Sequence, residues 1–70
     1  MTHTPAQSSN IASIGYDNAS QRLQVAMKHG KVYEYSGVEE GTHRELLNAE
    51  SVGQFVHARI KGRYPMREVE

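Results

Sequence analysis

The chain is predicted to be a small α+β domain: a three-stranded antiparallel β-meander packed on one face by two short helices, spanning residues 9–64. Three observations predict this class. The first half alternates apolar and polar residues with a period of two, a glycine-bearing turn separates its two best segments, and the second half carries an apolar stripe of helical period behind capping residues.

Residues 1–8 are polar, contain Pro5 and show no periodicity, which predicts a disordered N-terminal tail. From Asn10 to Asp17, Ala12, Ile14 and Tyr16 alternate onto one side of a half-buried strand, with Ile11 out of phase at its start. Asp17-Asn18-Ala19-Ser20 reads as a turn, because Asp and Asn side chains bond their own backbone and tolerate unusual dihedrals. Arg22–Lys28 has the cleanest alternation, with Leu23, Val25 and Met27 toward the core.

The connection after this strand decides where Tyr33 and Tyr35 point, since a change of one loop residue flips every following side chain to the other face. A two-residue loop at His29-Gly30 sets Val25 opposite Glu34 and places a carboxylate on the apolar face, which is costly. A three-residue loop, Lys28-His29-Gly30, sets Val25 opposite Tyr33 and Leu23 opposite Tyr35, with Gly30 in the left-handed conformation such loops need. The second register is expected. It puts both rings on the core side with hydroxyls toward the rim, leaves Val32 and Glu34 facing away, and favours packing over a stacking platform.

Beyond Val38 the pattern becomes helical. Thr42 followed by Glu45 is a capping-box signature and predicts a short helix over residues 43–49 presenting Leu46 and Leu47 inward. Ser51 and Gln54 repeat the signature ahead of a second helix from Val52 to about Lys61. Its stripe is Val52, Phe55, Val56 and Ile60, with Gly62 suited to the left-handed position past its end. Gly53 costs ~1 kcal/mol of helix propensity relative to Ala, which suggests that it lets the backbone approach a neighbour closely. Tyr64-Pro65 closes the domain, and residues 65–70 are expected to be loose.

Seventy residues make one domain, of a size that buries roughly 60% of the surface its unfolded chain exposes, so each large apolar side chain matters. With no cysteine there is neither a disulfide staple nor a thiolate metal site. No apolar run approaches the roughly 20 residues of a spanning helix, and the first residues do not begin a basic-then-apolar signal; the expectation is a cytoplasmic protein with no membrane association. Eight acidic and eight basic side chains cancel, which argues against a strong non-specific polyanion binder. Their distribution is uneven. Glu34, Glu39, Glu40, Glu45 and Glu50 occupy the middle, and Arg59, Lys61, Arg63 and Arg67 the end, a dipole that fits either partner steering or two solvated helix faces.

Ser8-Ser9, Ile14 with Tyr16-Asp17, Leu23 with Val25, Gly30, the pair Tyr33 and Tyr35, Val38, Leu46-Leu47, the run Ala49-x-Ser51-x-Gly53-x-Phe55, Ile60 and Tyr64 together resemble the KTSC domain. The likeness covers Ser8 to Tyr64. That family comprises stand-alone bacterial or phage proteins and a domain fused to the C-terminus of some lysyl-tRNA synthetases, so the resemblance implies an association with RNA; it carries over no catalytic residue. The sequence departs from the family at Glu39, where a proline often stands, and at Val56-His57, where an aromatic and an asparagine are common.

His3, His29, His43 and His57 share no i, i+4 spacing, and no Cys or carboxylate lies within a turn of His57, so neither a metal nor a cofactor site is expected. No Gly-x-Ser-x-Gly elbow surrounds a serine and no phosphate loop surrounds Lys31, so the chain is not expected to be an enzyme. A binding module remains. On the second helix His57 and Lys61 stand four apart on one side and Arg59 and Arg63 on another, both off the apolar stripe. Beside Tyr64 they form a candidate nucleic-acid site, cations for phosphates and a ring for an unpaired base, with RNA the leading ligand. Cations at a helix C-terminus also complement its dipole, worth ~0.3–1 kcal/mol each. The alternative function is protein binding: a homodimer interface, or strand addition at an exposed edge, expected on the first strand.

Overall fold

The expected meander forms the centre of a wider sheet in the computed structural model, which describes residues 1–69. Five antiparallel strands follow one another in chain order: β1 (His3–Pro5), β2 (Ile11–Asp17), β3 (Arg22–Met27), β4 (Val32–Ser36) and β5 (Met66–Glu68). The two additional strands come from the segments read as a disordered N-terminal tail and a loose C-terminal one; Glu70 lies outside the described residues. Neither segment alternates detectably over three residues. Each is held by pairing, His3 to Gly15 through Pro5 to Ser13 at one edge and Tyr33 to Glu68 through Tyr35 to Met66 at the other. The edge of β2, expected to be free, is therefore covered.

The tyrosine register is as expected. Leu23 pairs with Tyr35 and Val25 with Tyr33, and the Met27 amide donates to the Lys31 carbonyl at 2.8 Å, closing a three-residue loop. Gly30 in that loop has φ +107°, a conformation that a side chain would strain. Ile11 is out of phase because a β-bulge intervenes. Ile11 pairs with Met27 while Ser13 pairs with Ala26, so Ala12 is the extra residue. The bulge turns both Ile11 and Ile14 into the core and leaves Ala12 exposed, the reverse of the side assigned to it by simple alternation. In the β2–β3 turn the Asp17 carboxylate accepts from the Ala19 amide at 3.1 Å and the Ser20 hydroxyl at 3.0 Å.

Helix α1 spans Glu40–Leu47, starting earlier than the capping-box reading placed it. The Thr42 hydroxyl donates to the Glu39 carboxylate at 3.1 Å, and the extended Glu39 is the N-cap, its carbonyl accepting from the Thr42 and His43 amides. Leu46 is fully buried, but Leu47 is 50% exposed, because successive residues of an α-helix point about 100° apart and only Leu46 falls on the face that meets the sheet. Helix α2 begins at Val52 under the Ser51 cap, whose hydroxyl accepts from the Gln54 amide at 3.2 Å. After Phe55 it widens into a π-helical turn over Val56–Ile60, closed by the Lys61 amide on the Val56 carbonyl at 2.7 Å.

Both helices pack on one face of the sheet. Leu23, Val38, Leu46 and Ile60 are completely buried there, each contributing about 1.5–3 kcal/mol by removal from water. The Tyr16 hydroxyl donates to the Val38 carbonyl at 2.6 Å, and the Tyr16 ring stacks on His43 with centroids 4.3 Å apart, joining sheet to α1. Burial holds the Tyr16 hydroxyl above its usual pKa, with Glu40, Glu39 and Asp17 adding to the shift, and pushes the His43 ring below its own.

A candidate binding groove and a polar row on the opposite face

The helices cover only part of the inner face. Where they stop, a groove with a volume of about 1030 Å³ remains, floored by Val25, Met27 and Tyr33 and bordered by Met66 of β5. Ser8, Ser9 and Asn10 form one wall, and Gln54, His57 and Lys61 stand on the other. The walls meet where Gly53 lies against Ser8: a Cβ on Gly53 would sit 3.3 Å from the Ser8 hydroxyl, which itself accepts from the Asn10 and Ile11 amides. The absent side chain at Gly53 is thus accounted for by a close approach. The two tyrosines differ accordingly. Both border the groove, but Tyr35 is 4% exposed, a core residue whose phenol burial pushes up in pKa, whereas Tyr33 is half-buried.

The residues singled out from the sequence separate into three groups. His57 and Lys61 line the groove together. They do not stack as α-helical i, i+4 neighbours, because the π turn lies between them and Lys61 is extended at ψ 126°. Arg59 points elsewhere: its guanidinium meets Glu45 of α1 at 3.3 Å and lies 5.2 Å over the Phe55 ring, so it braces the two helices. Arg63 is exposed in the turn that follows, its amide on the Ile60 carbonyl at 3.1 Å, and Tyr64 packs half-buried against the core. Sequence reasoning did not find Tyr33, Met66 or the Ser8–Asn10 wall as groove residues. Parity turned Tyr33 inward but carries no sign of where helical cover ends.

The outer face carries a second constellation. His3, Gly15, Gln24, Glu34 and Arg67 are successive cross-strand partners, one from each strand. Arg67 donates to Glu34 at 3.0 Å, the Gln24 amide nitrogen donates to the other Glu34 oxygen at 3.0 Å, and Arg22 lies 3.7 Å away. Glu34 was expected to face away from the core and does so, yet it is only 6% exposed because its neighbours enclose it. The Gln24 hydrogen bond, with Arg67 and Arg22 behind it, lowers its pKa against the opposing effect of burial. Since the Gln24 nitrogen faces a carboxylate, its oxygen faces His3 Nε2 at 2.8 Å. That nitrogen therefore donates, and Nδ1 pairs with the Ser13 hydroxyl at 2.9 Å.

Among the described residues no three His, Cys, Asp or Glu side chains converge as metal ligands, and no helix is long and apolar enough to cross a membrane.

Comparison with known proteins gives this arrangement a lineage. The chain is 40% identical over 60 residues to a protein of Tsukamurella paurometabola, covering 86% of this chain and 90% of that one. It is 35% identical over 63 residues to a lysine–tRNA ligase of Trichormus variabilis, covering 90% of this chain but 11% of the ligase. The crystal structure of a KTSC domain protein from Yersinia pestis superposes with a TM-score of 0.92 at 36% identity, over 99% of this chain and 97% of that one. Residues 7–64 match the KTSC domain, and the chain belongs to that family.

Proposed function

We propose that this domain is a non-catalytic module that binds single-stranded RNA in the groove, a base stacking on Tyr33 and the adjoining phosphates meeting Lys61 and His57. The observation that carries the reading is the half-buried Tyr33 ring on the floor of a groove whose rim bears Lys61 and His57. A ring held at the base of a cleft supplies a stacking surface with little further loss of freedom, and stacking of one base is worth about 1–3 kcal/mol. Arg63, exposed in the turn just beyond Lys61, adds a further cation near the rim, Tyr64 packs against the core, and Arg59 is assigned to helix bracing instead. The occurrence of a similar segment within lysine–tRNA ligases supports a ligand of this class. With zero formal net charge, affinity is expected to be weak and salt-sensitive.

The test is a residue-by-residue amide titration with a short single-stranded RNA. Shifts centred on Tyr33, His57 and Lys61 that fade as salt rises are expected. Lys61→Gln with Arg63→Gln weakens binding, whereas Arg59→Gln leaves it nearly unchanged. An RNA response absent from the groove, or unaltered by the Lys61 and Arg63 changes, removes the groove as the site.

A further inference from the structure

The two edges of the sheet are unlike. In an antiparallel ladder alternate residues direct both backbone groups to the same neighbour, so one hydrogen bond fixes the phase of the whole strand. The Ala6 amide bonds the Ala12 carbonyl, which turns the backbone groups of Pro5 and His3 to the free side of β1; at Pro5 that free side has no N–H to offer. This edge is closed to a full ladder. On the opposite edge, Val69 N bonds Val32 O at 2.8 Å and Ser36 N bonds Pro65 O at 3.0 Å, so Met66 and Glu68 present their N–H and C=O groups outward from β5, with no proline at either position. Apolar side chains are exposed on both faces of this edge: Met66, 49% exposed, on the inner face, and Val69, 37% exposed, beside Val32 on the outer one.

We infer that the β5 edge is a docking site for an extended segment of a partner protein, which adds a sixth strand and sets an acidic side chain opposite Arg67 and an apolar one beside Met66. Charge selects this occupant over a second copy of the chain. Two antiparallel copies of one strand must pair a residue with itself. Centred on Arg67 the pairing sets two guanidiniums face to face, and centred on Glu68 two carboxylates, both unfavourable. Centred on Met66 it runs off the strand onto Pro65 and Tyr64. An acidic residue from a different chain instead continues the row from Gln24 through Glu34 to Arg67 with alternating sign.

The probe is a short end-blocked peptide in which valine alternates with glutamate. Expected are shifts and slowed exchange at the Met66 and Glu68 amides, and a loss of affinity of about tenfold or more in Glu68→Pro, which removes one outward N–H and no ladder bond. Glu68→Ala, lacking the same carboxylate but keeping the amide, retains binding. Arg67→Gln, a milder change should the proline variant fold poorly, weakens the glutamate peptide but not its glutamine analogue. Absence of a response at Met66 and Glu68, equal binding by the proline variant, or protection of these amides through dimerisation without peptide each overturns the inference.

Discussion

Gly15 is the most exacting position in the outer row, and its replacement by Ala tests how β1 is held. A Cβ there would lie 2.6 Å from both Cδ2 and Nε2 of His3 and 2.9 Å from Sδ of Met1. Carbon contacts settle at about 3.5–4.0 Å, so the imidazole must retreat by roughly 1 Å. Its hydrogen bonds to Ser13 and Gln24, at 2.9 and 2.8 Å, then exceed bonding distance. Two such bonds are worth ~1–3 kcal/mol together, against which Ala gains ~0.5–1 kcal/mol over Gly in a strand. The difference centres on about 1 kcal/mol within a span of ~0–2.5, the central value being ~4–8 °C in the thermal midpoint of a domain this small. The decisive assay is a double-mutant cycle with His3→Ala, read by urea and thermal unfolding. Without the ring, Gly15→Ala is expected to be neutral or slightly stabilising, since the Met1 thioether is a flexible end that can move aside. An equal loss in both backgrounds would refute the assignment of Gly15 to His3.

Two further outcomes follow from the other face. Leu46→Ala is expected to cost about 2–5 kcal/mol in chemical denaturation, whereas Leu47→Ala stays within ~0.5 kcal/mol, because Leu46 is fully buried and Leu47 half exposed. Burial lowers the pKa of His43 below its unfolded value of 6.5, so the unfolded chain binds the extra proton first. Its stabilising contribution is complete above that value and declines as pH falls through the window beneath it; unfolding curves at about pH 7.5 and 5.5 are expected to converge in His43→Phe, which keeps a ring against Tyr16.

What the sequence disclosed depended on whether local chemistry or distant pairing decides the element. The β3–β4 register was legible because one glycine and one carboxylate excluded the alternative, and the Ser51 cap was legible because serine and glutamine stand at fixed spacing. Thr42 misled for the same reason: its hydroxyl had a nearer partner in Glu39. His3–Pro5 and Met66–Glu68 were illegible as strands, since three residues hold no period and their order comes from neighbours remote in the chain. The candidate site was half legible. His57 and Lys61 stood out as polar positions off the apolar stripe, but the π turn that reorients Lys61, and the end of the helical cover above Tyr33, are properties of the assembled fold.

The strict chain order of the strands also bears on kinetics. Every strand pairs with its immediate successor, and the three middle ones are joined by short turns, so these hairpins can zip without closing long loops. Only β5 must wait for the intervening helices to bring the chain back. Such local wiring places folding among the faster mixed α/β domains, with a late step that is the arrival of the final strand.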